Sequence, residues 1–138
     1  MKKVAIIGAG ISGLFIANLF KKNPNYQTTL YEKNTTIALE EGYGVQLSVN
    51  SIKLLNKIGF QKLPNNEKFT PNKINFYSNK SSNKICELDI ANFNSEDCKY
   101  TTLKRSTLIN FLKKDLKDVI KTNFNISKVN HQEKQIKL

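Results

Sequence analysis

Arginine is almost missing from this chain: Arg105 stands alone among 138 residues whose other strongly basic side chains are all lysines. Histidine is as scarce, with His131 the sole example, and only two cysteines, Cys86 and Cys98, are present. These residues have no metal-ligand spacing and two thiols build no disulfide framework, so both cysteines read as reduced thiols of a cytoplasmic protein, and no metal is expected. No apolar run is long enough to span a bilayer, which leaves no integral membrane segment. The Lys2-Lys3 start leads into a short apolar run that breaks at glycine without a cleavage-site pattern, so no signal peptide is expected either.

Acidic residues are also in deficit, and the formal net charge is +11. Such a charge invites a nucleic-acid partner. The lysines, however, are scattered along the whole chain among many Asn and Ile residues, and no aromatic platform accompanies a basic cluster. The pattern reads as a compositional drift toward Lys, Asn and Ile, so no nucleic-acid partner is expected; an acidic remainder of a longer protein would balance the charge. The same drift gives Arg105 its interest. If lysine replaced arginine wherever it would serve, the survivor marks a place where a planar, bidentate fork matters.

What is present is concentrated at the amino terminus. Residues 4–7 are a continuous apolar run, the pattern of a strand buried on both faces of a parallel sheet. Gly8, Gly10 and Gly13 follow as G-x-G-x-x-G, and a helix is expected from about Ser12 to Lys22, stopped by Pro24. Gly8 suits the tight turn, Gly10 the close approach of a pyrophosphate, and Gly13 the close packing of helix on strand. A second strand over 27–31 ends at Glu32, where a dinucleotide fold places the carboxylate that accepts hydrogen bonds from the adenosine ribose. Residues 1–33 therefore form a β-α-β unit for an ADP-containing cofactor.

The rest is less regular. Residues 34–41 are a polar connection, Gly42-Tyr43-Gly44 a flexible stretch, and 45–47 a short extended piece. Ser48 to Ser51 start a helix whose apolar side is Ile52, Leu54, Leu55 and Ile58, with Gly59 as its C-terminal cap. Residues 60–72 read as loop. Strands over 73–78 and 84–90 make a hairpin that interrupts the parallel pattern and belongs to an antiparallel layer. Residues 100–103 are extended, and Ser106 or Thr107 caps a helix to about Leu116 with Leu108, Ile109, Leu112 and Leu116 at helical spacing. Short strands are expected over 119–122 and 127–129, a turn over 131–134, and a further strand opening at 135–138.

Three stretches together resemble the flavin-dependent aromatic hydroxylases, the single-component FAD monooxygenases with a p-hydroxybenzoate-hydroxylase-like fold. They are Gly8 to Gly13 with Glu32-Lys33; Gly42-Tyr43-Gly44-Val45-Gln46-Leu47 through Asn50, followed by Leu54-Leu55 and Ile58-Gly59; and Arg105 with Leu108 and Leu112. The resemblance implies an α/β fold, a Rossmann-like FAD-binding βαβ core with an inserted antiparallel hairpin layer, incomplete at its C-terminus. It implies that Glu32, with Lys33 beside it, holds the FAD ribose, that Gly10 and Ser12 present backbone to the pyrophosphate, and that the Val45-Gln46 backbone lies beside the flavin. Arg105 would reach the phosphate and ribityl region, and the Val129 backbone would sit near the adenine. The implied reaction uses NADPH or NADH and O2 to hydroxylate a small aromatic or related ring.

The family has Asp-Gly and Gly-Asp motifs further along, and this sequence contains neither dipeptide. Residues 1–138 are thus expected to be the amino-terminal part of a longer enzyme and inactive alone. No catalytic acid or base can be named: Glu40 and Glu41 are adjacent carboxylates in a loop, and His131 lies in a polar turn. Three other readings stand beside this one. An amine-oxidase-like FAD enzyme lacks its Gly-Gly-Arg turn here, a plain NAD-binding Rossmann domain would continue in regular β-α-β units, and a non-catalytic dinucleotide-binding module would be complete as it stands.

Overall fold

The computed structural model describes residues 1–37 and 43–129. Contacts divide the chain into two compact units, one of Met1–Glu40 with Ile109–Leu138, the other of Glu41–Leu108. The expectations for Gly42, for Glu40 and Glu41, and for 131–138 fall outside the described residues.

The first unit begins with β1 (Lys2–Ile7), crosses over through α1 (Ile11–Lys21), and returns as β2 (Tyr26–Tyr31) parallel to β1, in register from Lys2 with Tyr26 to Ile7 with Tyr31. Late in the chain, β7 (Ile120–Lys121) adds to the far side of β2, also parallel, giving the strand order β1-β2-β7. The fold is the Rossmann-like α/β arrangement expected. The core comes from Leu14 and Ala17 of α1, Leu30 of β2, and Ile109, Leu112, Leu116 and Val119, all at most 6% exposed. At the inner face of α1, Asn18 donates from Nδ2 to the carbonyls of Leu14 (2.9 Å) and Leu112 (2.7 Å), so one polar side chain ties two segments distant in sequence.

Two expectations fail in this unit. The run at 4–7 does not lie buried on both faces: Val4, Ala5 and Ile6 are half-buried and Ile7 is 57% exposed. Among the described residues β1 pairs on one side only, so it is an edge strand. The 127–129 strand is also absent, because nothing among the described residues pairs with it.

The second unit contains two antiparallel pairs. Strand β3 (Gly44–Leu47) pairs with β6 (Thr101–Lys104), which puts Val45 opposite Leu103 and Leu47 opposite Thr101 on the buried face. Phe69 and Thr102 exchange backbone hydrogen bonds of 2.8 Å, extending this sheet from inside a segment expected to be plain loop. Helix α2 (Val49–Asn56) starts after Ser48, buries Ile52 and Leu55, and is followed by Gly59 in the left-handed region at φ +94°. Strands β4 (Lys73–Tyr77) and β5 (Lys84–Asp89) form the expected hairpin, with Ile74 opposite Leu88 and Phe76 opposite Cys86.

Helix α3 (Arg105–Lys113) runs directly out of β6. A cap at Ser106 or Thr107 would start the helix at 107 or 108; it starts two or three residues earlier, where the Arg105 N–H donates to the Tyr43 carbonyl at 3.0 Å, and it ends before Leu116, which is buried outside the helix.

Candidate dinucleotide-binding site

The three glycines of the first turn are placed by three different constraints. Gly8 has φ +94°, a conformation that side-chain-bearing residues rarely adopt, and its N–H donates to the Tyr31 carbonyl at 2.8 Å, closing the ends of β1 and β2 together. A Cβ on Gly13 would lie 2.0 Å from the Gly8 carbonyl oxygen, so only glycine lets α1 start this close to the strand. Gly10 is different. Its φ of −73° is open to any residue, and a Cβ there would meet nothing within 4 Å. The fold does not need glycine at this position.

Gly10 is also the N-cap of α1, with no side-chain cap and no acidic residue in the first turn. The opening N–H groups of a helix lack intrahelical acceptors and sit at the positive end of its dipole. Exposed Gly10 and Ser12 therefore border a surface suited to an anion.

Glu32 closes this site from the end of β2. Its Oε2 accepts from the Ala9 N–H at 2.8 Å and its Oε1 from the Asn34 N–H at 3.0 Å. The side chain thus bridges the glycine turn and its own strand end. Partial burial pushes its carboxyl pKa up, but the N–H groups of Asn34 and Ala9 and the Lys33 charge outweigh that and hold it below the usual 4.5. The group is an ionised acceptor at neutral pH, and each oxygen keeps lone-pair capacity for a further donor.

Gly8, Gly10, Ser12, Gly13 and Glu32 are thus brought together in one corner of the first unit, with Lys33 exposed beside them. Val129 lies in the same unit, 37% exposed and outside any strand. In the second unit, Val45 points into the buried face of β3 and Gln46 to the exposed one, while Arg105 opens α3, half-buried. Three residues at these places escaped the sequence reading. Ala9 and Asn34 act through backbone N–H groups, which no side-chain pattern announces. Tyr100 donates from its hydroxyl to Gln46 Oε1 at 3.0 Å, a contact that depends on the β3–β6 pairing. Among the described residues no group of His, Cys, Asp and Glu side chains could hold a metal.

Comparison with known proteins agrees with this geometry. Residues 6–40 match the NAD(P)-binding Rossmann-like domain family, the segment that carries the glycine turn and Glu32. The chain is 40% identical over 58 residues to an FAD-dependent monooxygenase of Penicillium roqueforti, covering 41% of this chain and 7% of that protein. It is 37% identical over 57 residues to a 3-amino-4-hydroxybenzoate 2-monooxygenase of Streptomyces platensis, covering 41% of this chain and 14% of the relative. The solved structure of Klebsiella pneumoniae HpxO complexed with FAD and uric acid superposes with a TM-score of 0.77 at 16% identity, over 96% of this chain and 33% of that one. The chain spans only a small part of the curated relatives it matches. Its fold is a Rossmann-like nucleotide-binding one, and within that class its sequence and fold are similar to those of the FAD-dependent monooxygenases. No helix among the described residues is long and apolar enough to cross a membrane.

Proposed function

We propose that this chain is the FAD-binding part of a flavin-dependent monooxygenase that hydroxylates a small aromatic or related ring with NADPH or NADH and O2. The observation that carries the reading is the pairing of an open backbone at Gly10, where the fold does not require glycine, with an ionised Glu32 anchored to the same turn. A ligand with both a pyrophosphate and a ribose accounts for the two features together.

When bound, the flavin supplies the redox and oxygen chemistry, and the protein orients it and excludes water. In this reading the Gly10 and Ser12 backbone and the start of α1 hold the pyrophosphate, Gly8 and Gly13 shape the turn, and Glu32 accepts hydrogen bonds from the adenosine ribose. By the family resemblance, Lys33 would border the ribose, the Val129 backbone would serve the adenine, and the Val45–Gln46 backbone would serve the flavin. By the same resemblance, Arg105 would hold the phosphate and ribityl region, where its planar fork offers paired donors that lysine cannot. Ring selection, reduction by the nicotinamide nucleotide and turnover belong to the whole enzyme, and the 138 residues alone are expected to bind without turning over.

The test is FAD titration followed by quenching of flavin fluorescence. Glu32→Ala and Arg105→Ala should each weaken FAD binding by about tenfold or more, the range for loss of a hydrogen bond to a charged group, with the fold retained by circular dichroism. Unchanged FAD affinity in both variants would overturn the assignment.

A further inference from the structure

Glu32 is held by more than its own strand. Its backbone N–H donates to the Lys121 carbonyl at 2.9 Å, and its carbonyl accepts from the Phe124 N–H at 2.9 Å. Two residues on, the Asn34 carbonyl accepts from the Asn123 N–H at 3.0 Å. Asn34 is the residue whose own N–H anchors Glu32 Oε1. The segment 121–124 therefore grips both Glu32 and the residue that orients its carboxylate.

Two features shape this grip. Asn123 has φ +62°, the left-handed region that asparagine tolerates and β-branched residues do not, which turns the chain after β7 back across the end of β2. The Phe124 ring then meets Tyr31 edge to face, with centroids 5.5 Å apart and planes at 63°. Tyr31 is the residue before Glu32, and its carbonyl accepts from Gly8. The turn thus touches the residue that donates to Glu32 Oε1 and the residue that precedes Glu32 in the strand.

We infer that the Asn123–Phe124 turn is a positioning element for nucleotide ribose: it presets the Glu32 carboxylate so that its hydrogen bonds to the ribose hydroxyls form without reordering the strand end. The inference rests on the reading of Glu32 as the ribose acceptor. Neither residue touches the ligand: Asn123 acts through the backbone of Asn34, and Phe124 through the backbone of Glu32 and the ring of Tyr31. Pre-ordering matters because a binding group that must first be immobilised returns less affinity for the same contact.

The experiment compares ADP with 2′,3′-dideoxy-ADP by isothermal titration calorimetry on the protein. The wild type should bind ADP about tenfold more tightly than the dideoxy compound, the difference expected for hydrogen bonds to a charged acceptor. Phe124→Ala and Asn123→Val should shrink that ratio to about threefold or less while leaving dideoxy-ADP affinity unchanged. Asn123→Gly should keep the wild-type ratio, because glycine takes a positive φ freely. A merely structural defect would weaken both ligands alike. Should Phe124→Ala fail to fold, Phe124→Leu replaces it, keeping bulk at a 43% exposed position while removing the ring pair. Retention of the full ratio in folded Phe124 and Asn123→Val variants would overturn the inference with the ribose role of Glu32 intact. A wild type that does not distinguish the two ligands would overturn the ribose reading itself.

Discussion

Two strand pairs in this chain have similar lengths and opposite surroundings. The parallel pair β1–β2 is joined by a helix that buries Leu14 and Ala17, and Leu30 of β2 is wholly inaccessible. The hairpin β4–β5 is exposed at every strand residue except Ile74, which is half-buried. On one face it shows Phe76, Cys86 and Leu88, while Ile85 bulges where the register shifts between Phe76 and Tyr77 and is 68% exposed. On the other face Glu87 takes both Lys73, at 2.6 Å, and Lys84 as ion partners. Lys73 and then Lys84 hold its carboxyl down to about 2. Exposed ion pairs contribute little, and an uncovered two-stranded hairpin is marginal. Ladder pairing gives a strand its shape, whereas burial gives it stability, and only the first pair has both.

That contrast can be broken by substitution. Gly13→Ala should have the largest effect, about 3 kcal/mol or more, because its Cβ would stand 2.0 Å from a backbone oxygen that cannot retreat without opening the turn. Urea unfolding followed by circular dichroism measures it, and near-wild-type stability would mean the loop relaxes freely. Next, Leu112→Ala removes a fully buried side chain and should lower stability by about 2–5 kcal/mol, whereas Leu88→Ala in the hairpin, 45% exposed, should change it by less than about 0.5 kcal/mol. Equal losses would show that the hairpin is buried in solution.

The smallest expected effect is on pH dependence. Because the folded pKa of Glu32 lies below the usual 4.5, its contribution to stability is complete above that value and is lost as pH falls through the folded pKa. Glu32→Gln should therefore flatten the stability curve below about pH 4.5 and leave its shape near neutrality unchanged. An acid limb of unchanged slope would count against the bridge to Ala9 and Asn34.

What could be read in advance follows from the range of the interactions. The β1-α1-β2 unit was legible because its signals, an apolar run, three spaced glycines and an acidic residue at the end of the next strand, are local. The hairpin was legible for the same reason, through alternation on either side of a turn. The β3–β6 pairing was not, since nothing in Gly44–Leu47 specifies Thr101–Lys104 as its partner. The start of α3 was misplaced by two or three residues because a backbone carbonyl of Tyr43 takes an N–H that a side-chain cap was expected to serve. At the candidate site the glycines and Glu32 could be read, but the donors to Glu32 could not, since Ala9 and Asn34 contribute only amides.

The contrast between Gly10 and Gly13 reaches beyond this one chain. Gly13 is demanded by the strand beneath it, so any descendant that still folds must keep it. Gly10 has space around it and an ordinary backbone, so drift could replace it with another capping residue such as serine at little expense to the fold. A lineage that had abandoned its nucleotide would be recognisable by that asymmetry, with position 13 still glycine and position 10 free to vary. Comparing the residues at these two positions among relatives would show which of them still keep the backbone open for a nucleotide.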